Sequence, residues 1–274
     1  FSIATTFNIS ISTILLYPLI LLFNIISYST SIIGVVISRI IGVLSLAFLY
    51  VKPLINEKGK HSVSLTFKDF NFSILILGNI THIIMLLGRL VAGLDGGNNI
   101  VFYTYAVIII NIFFTSIVVN INTLLLKFIS IKKNINAVLV STLLTAILGG
   151  LFIYFILYFS KELIEIIFQR GSFTYTDTIA TSNYLKDLSW SFILIFISSS
   201  LFQTYFTLPE NYLKRNTPKL IFPLFFTIII LLCFFLLNDY TAKLNSIIMI
   251  YSLSSLSFVL SVLAFLKYLR YESK

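Results

Sequence analysis

Cys233 is the single cysteine in 274 residues, which excludes a disulfide within the chain and leaves the redox compartment unread. It lies in the run IIILLCFFLL, where a buried apolar thiol is the expectation. Charge is equally scarce: 11% of the residues are Asp, Glu, Lys or Arg, against about 25% in a soluble domain. Chemistry-bearing motifs are missing too. There is no Walker loop, no dinucleotide glycine pattern and no His/Cys/Asp cluster at metal-ligand spacing. His61 stands in a polar linker and His82 in an apolar run, so no Ser/His/Asp arrangement forms around them. The sequons at Asn71 and Asn79 fall at or inside an apolar run and are treated as chance. An enzyme acting on a soluble substrate is therefore not expected, and neither a cofactor nor a metal is implied.

The charge that is present is lopsided, with a formal net of +9. A basic balance raises the question of nucleic acid, but the basic residues sit between apolar spans and not in a stripe, so no nucleic-acid partner is inferred. Residues that are 58% hydrophobic by count form long uninterrupted runs. A helix needs roughly 20 apolar residues to cross a hydrocarbon core. Eight such runs are read, at about 8–28, 31–52, 71–93, 99–126, 135–159, 184–207, 219–238 and 245–267. Barrel strands would alternate over about ten residues, and these runs do not. The fold class expected is all-α and polytopic.

The linkers orient the spans. Lys52, Lys58, Lys60 and Lys68 precede the third; Lys127, Lys132 and Lys133 follow the fourth; Lys214, Arg215 and Lys219 follow the sixth; Lys267, Arg270 and Lys274 close the chain. The alternate linkers hold only Lys161, Arg170, Lys186 and Lys243. Basic residues are retained on the cytoplasmic side, which places the C-terminus there. All ten acidic residues lie in linkers or at span ends, so the visible chain offers no obvious carboxylate site for a coupling proton or sodium. The chain begins with Phe1, and a preceding N-terminal remainder of the same protein is expected as its partner.

Polar groups within spans carry the functional expectation. Arg39 is about nine residues into its span, roughly 13 Å along the axis, near the bilayer midplane. It reads either as a cation facing a wet cavity or as half of a structural pair. Arg89 lies nearer the outer end of the third span, within reach of the interface. Asn79, His82, Leu86 and Arg89 are spaced three, four and three apart, so three polar groups share one helical face. Thr104, Ile108, Asn111, Thr115 and Asn122 form a weaker stripe on the next span. Such faces should line a cavity or a helix contact, not lipid. The serines of SISSSLFQTYF and the pair Gly149–Gly150 suit close helix approach. Pro218 fits a helix start, and Pro223 should kink or break the first turns.

The stretch KELIEIIFQRGSFTYTDT interrupts the apolar text with a charged turn. It reads as an amphipathic helix end, a stop at Gly171, and a new start capped by Thr176 with Asp177 on the positive end.

Within that stretch, IIFQRGSFTYTDT resembles the LLFQRGAFTAEDT element of the MurJ/MviN family of lipid II flippases, with Arg170, Gly171 and Phe173 in the matching places. QTYFTLPENYLKRNTPK is similar to the family's RAFYARGDTRTPV, and VAGLDGGNNIVFYTYA to ASLLPGSVSALYYADR. Order and spacing agree over residues 71 to 268. The resemblance implies a multidrug/oligosaccharidyl-lipid/polysaccharide exporter fold with two six-helix lobes and alternating access. It makes 1–52 the last two helices of the first lobe, 53–70 a basic cytoplasmic linker, 71–268 the second lobe and 269–274 a cytoplasmic tail. It also implies a bacterial inner-membrane protein that moves a lipid-linked peptidoglycan precursor, with membrane lipid as its other partner. Arg39, Arg89, His82, Asn79 and Asn111 are the substrate-cavity candidates. One departure matters: the family's YADR reads YAVI here, and Ile108 stands at the arginine position. Export of another lipid-linked polysaccharide unit or of small organic cations, and a truncated non-functional copy, are the alternatives.

Overall fold

The structure is a computed structural model that describes residues 72–132, 135–169, 173–238 and 240–272, together with Ile37, Ile40, Ile41 and Leu44. Two compact units divide the chain, Phe1–Phe67 and Lys68–Lys274. The first two spans read from the sequence, and Arg39 within them, lie outside the described residues apart from those four positions.

Every described element of the second unit is helical. In chain order these are α1 (Phe72–Gly78), α2 (Ile80–Ala92), α3 (Asn99–Phe113), a π-helical segment (Phe114–Val118), α4 (Val119–Lys132), α5 (Ile135–Phe168), α6 (Tyr175–Phe206), α7 (Glu210–Leu237) and α8 (Ala242–Glu272). Among the described residues five helices are long and apolar enough to cross a membrane, α3 through α4 counting as one. A sixth span forms if the bent pair α1 and α2 is taken together. The chain is a multi-pass membrane protein in its described part; a count of eight is not reached within it.

The distribution of side chains is that of a protein dissolved in lipid. Outward faces of α5 and α7 carry large apolar groups such as Leu139, Leu143, Phe222, Ile229 and Leu236. Ser191, Ser198, Ser200, Ser254, Ser257 and Ser261 are buried instead. Lipid provides no solvent that drives leucines together, so small residues that permit close backbone approach take the interior. Cys233 follows the same rule: it is exposed on α7, not buried as its apolar neighbours led us to expect.

The central helix is α6. It packs against α3, the π segment, α4, α5 and α8, while α8 also packs on α2 and α7. Gly149 on α5 lets α6 come close, since a Cβ there would stand 3.3 Å from the Phe196 ring. The start of α6 differs from the sequence expectation. Thr174, not Thr176, is the cap, and it forms a reciprocal capping box with Asp177. Asp177 Oδ2 accepts from the Thr174 backbone N–H at 2.8 Å, and the Asp177 N–H donates back to Thr174 Oγ1 at 3.4 Å.

Hydropathy measures the membrane and not the helix, and several boundaries move accordingly. α5 continues through the charged residues to Phe168, α6 begins nine residues before the expected 184, and α8 continues past 268 to Glu272, through most of the segment read as a tail. α7 starts at Glu210 after Pro209 and runs through both Pro218 and Pro223. Neither proline starts or ends it. A span can absorb the lost backbone bonds where neighbouring helices and local adjustments re-satisfy the freed groups.

Two irregularities were not foreseen. The span 72–92 is not one helix: α1 and α2 meet at Asn79 with a bend of 72°. Asn79 seals the break, its backbone N–H reaching Leu75 O at 3.1 Å and its side-chain Nδ2 reaching the same oxygen at 2.9 Å. Opposite it, α3 passes into α4 through the five-residue π segment. A π turn inserts one extra residue and rotates everything beyond it.

Candidate functional site

The break and the π segment bound one chamber. It holds about 250 Å³ and is walled by Gly78, Asn79, Thr81 and His82 from the broken span, Phe114, Val119, Asn122, Thr123 and Leu126 from the π segment and α4, and Ser199 and Gln203 from α6. Its polar groups come from three elements that are distant in sequence. A second chamber of about 730 Å³ shares Thr123 and Leu126 as wall and extends to Lys127, Thr207, Tyr268, Tyr271 and Glu272 at the ends of α4, α6 and α8. The two chambers abut along one face of α4, running from the helix break to the end of the bundle that carries the C-terminus of α8.

The floor of the first chamber is a hydrogen-bonded network. Asn122 is buried, and its Nδ2 donates to Ser199 Oγ at 2.7 Å. Its Oδ1 accepts from Ser200 Oγ at 2.7 Å, and Ser200 lies 3.2 Å from Thr145 Oγ1 on α5. This network ties α4, α6 and α5 together, and every polar atom of Asn122 is engaged except one amide hydrogen. The rim is different. Asn79 Oδ1, the His82 imidazole and the Gln203 amide make no side-chain hydrogen bond among the described residues, apart from the Asn79 Nδ2 bond to Leu75. His82 instead stands edge-on to the Phe114 ring, centroids 6.2 Å apart at 86°. Leaving an amide or imidazole unpaired in hydrocarbon costs on the order of 4–8 kcal/mol per group on the cyclohexane scale. Three such groups converging on one hollow are what a water-filled chamber accommodates.

The sequence candidates separate as follows. Asn79 and His82 are brought together, three residues apart on the exposed face of the break. Arg89 shares that exposed face, but it stands in the last turn of α2, about 10 Å along the axis from His82, and does not line the chamber. It makes no ion pair with the described residues, and its cation complements the negative end of the helix dipole. Asn111 does not line the chamber either; it is half-buried, and its Oδ1 has no hydrogen-bond partner. The π segment explains why the expected stripe on this span divides. Thr115 within the segment is exposed, while Asn122 beyond it is turned inward. Arg39, Arg170 and Gly171 lie outside the described residues. Phe173 packs in an aromatic trio, 5.2 Å from Tyr105 and 6.2 Å from Phe168, at the junction of α5 and α6.

Ser199, Gln203 and Thr81 were missed as site residues. The run SSSLFQTYF reads as a small-residue packing surface, and most of it is; Ser199 and Gln203 turn to the chamber.

Comparison with family models, with curated proteins and with solved structures finds no match to this chain.

Proposed function

We propose that this chain is a membrane-embedded lobe of a flippase that moves a lipid-linked cell-wall precursor, of the lipid II kind, across the bacterial inner membrane by alternating access. The observation that carries the reading is the set of unpaired polar groups of Asn79, His82 and Gln203 around a hollow at the break of a membrane span. A saccharide headgroup offers hydroxyl and amide groups that satisfy such a rim, while its polyprenyl tail stays in lipid. The motif likeness around Arg170 and Phe173 supports the same class. In this reading the basic linkers and the C-terminus face the cytoplasm, so the large chamber near Lys127 and Glu272 opens on the side where the precursor is made. Cations offset the cost of carrying a pyrophosphate past hydrocarbon, and Arg39, near the midplane by its place in the sequence, and Arg89, in the last turn of α2, are assigned that part.

The position of Ile108 favours a second cargo. It is exposed, apolar, and stands where the family motif has an arginine. A lipid-linked polysaccharide unit other than lipid II is therefore the second reading.

The test is growth of a strain depleted of its own lipid II flippase and supplied with the full-length protein. The wild type sustains growth, and Arg39→Ala and Arg89→Ala each lose it. Growth undiminished in both variants removes the assigned role of the arginines. No rescue by the wild type, together with restored surface polysaccharide in an exporter-deficient strain, moves the cargo to the second reading.

A further inference from the structure

We infer that the bent span seats one acyl chain of a membrane phospholipid in an apolar cleft behind its break. The cleft encloses about 180 Å³ between α1, α2, α7 and α8. It follows from the 72° bend: α1 packs on α7 and α2 packs on α8, which leaves α2 and α7 without an extended contact. Ile84 of α2 and Leu253 of α8, each 1% exposed, lie at its floor. Ile80 and Ile221 stand in its walls, and Phe225, which is exposed, forms its lip. The break thus has two unlike sides. Asn79 and His82 line the polar chamber, while Ile80, Ile83 and Ile84 line a cleft in which every side chain is apolar.

Three arguments identify the occupant as hydrocarbon. Water is excluded, because a held water needs two to four polar partners and the lining supplies none. Collapse is resisted, because α2 is held on the side away from α7. Gly88 is seated against Ile250 of α8, and Tyr103 donates to the Met85 carbonyl at 2.8 Å, so α2 cannot swing toward α7 without giving up both. The mouth, finally, is continuous with the lipid-facing surface. Phe222, Phe226 and Ile229 of α7 and Leu75 of α1 are all exposed beside it. The medium that meets this opening is the interior of the bilayer. An apolar cavity of about 150 Å³ accepts benzene, so a preformed cleft of this size accepts a stretch of hydrocarbon chain.

The dimensions favour a phospholipid chain over an isoprenoid one. From Ile80 to Leu87 the cleft follows α2 for about 10 Å, within the roughly 15 Å depth of one leaflet, so a single chain anchored in that leaflet spans it. An unbranched methylene chain threads such a slot with no side group to clear, whereas an isoprenoid carries a methyl branch on every unit.

Photolabelling tests the assignment. The full-length protein is reconstituted in phosphatidylcholine vesicles doped with a phosphatidylcholine that bears a diazirine midway along one acyl chain, and the adducts are mapped by mass spectrometry after irradiation. Adducts should appear on the buried Ile84 and Leu253 as well as on the exposed Phe226. A diazirine-bearing polyprenyl phosphate at the same mole fraction should label Phe226 and leave the floor several-fold weaker. Ile228→Trp, which fills the cleft, should cut the floor adducts several-fold with labelling of Phe226 and of Leu143 on α5 unchanged. Phe225→Ala, which widens the mouth, should keep or raise them. Wild-type adducts confined to exposed residues overturn the proposal. So does floor labelling by the polyprenyl probe that equals that by the phospholipid, and so do floor adducts that persist in Ile228→Trp. If Ile228→Trp fails to fold, the wild-type comparison of the two probes decides alone. The inference needs only that α2 and α7 lie in lipid. Failure of the growth test with the floor adducts intact rejects the cargo alone, and absent floor adducts with intact growth reject the lipid site alone.

Discussion

Tyr103 donates its hydroxyl to the Met85 carbonyl at 2.8 Å, directly over Gly88. A Cβ on Gly88 would stand 2.4 Å from that hydroxyl and 2.6 Å from Ile250 Cδ1. Three helices, α2, α3 and α8, thus close on a position that has room for hydrogen alone.

Gly88→Ala should accordingly force α2 away from α8 and destabilise the fold by about 1–3 kcal/mol, the range for overpacking. Gly150→Ala is the control, because a Cβ there meets nothing within 4 Å. Thermal unfolding in detergent should separate the two, with Gly150→Ala at or slightly above the wild type. Equal stability of both variants would show that α2 and α8 are not packed as described.

Asn122→Ala removes the residue that joins α4 to Ser199 and Ser200. Interhelical polar contacts in membranes average about 0.6 kcal/mol and reach about 1.7. The two bonds of Asn122 place the expected loss at about 1 kcal/mol. A double-mutant cycle with Thr145→Val should reveal coupling through Ser200, since Thr145 and Ser200 are 3.2 Å apart. Strict additivity would contradict a connected network.

Most of the helices, but few of their ends, were legible in the sequence. Long runs such as 135–159 and 245–267 mark spans because lipid demands apolar text, yet α5 and α8 extend beyond it into residues that lie outside the hydrocarbon and are free to be polar. The break at Asn79 carried one local cue, a Gly78–Asn79 pair inside apolar text, and a helical face drawn straight through it still placed Asn79 and His82 together because both lie at or after the break. The π segment FTSIV carried no cue, and an even 3.6-residue stripe therefore grouped Thr115, which is exposed, with Asn122, which lines the chamber. Gln203 was hidden for another reason: what makes it a chamber residue is the position of α2 and α4, which no local pattern encodes.

Asp95 lies in the turn between α2 and α3 and accepts from the Gly97 N–H at 3.0 Å and from Asn99 Nδ2 at 2.8 Å. The Gly97 N–H foremost, then the Asn99 amide, hold its carboxyl below the ordinary 3.8. A lowered folded-state value means that the contribution to turn order is complete above that ordinary value and is lost as pH falls through the folded one. The protection factor of the Gly97 amide, corrected for intrinsic exchange, should drop below pH 4 and stay level from pH 5 to 8. Asp95→Asn should abolish the step. A drop centred above pH 5 would contradict the bonding described.

The central claim is that the hollow beside the broken span holds water within the membrane. In a Cys233→Ser background, Gln203→Cys faces that hollow, while Phe226→Cys is exposed on the outer face of α7. The measurement is the rate of labelling of each by a membrane-impermeant maleimide in inside-out vesicles. We predict that position 203 labels at least ten times faster than position 226; equal and slow labelling at both would contradict the account.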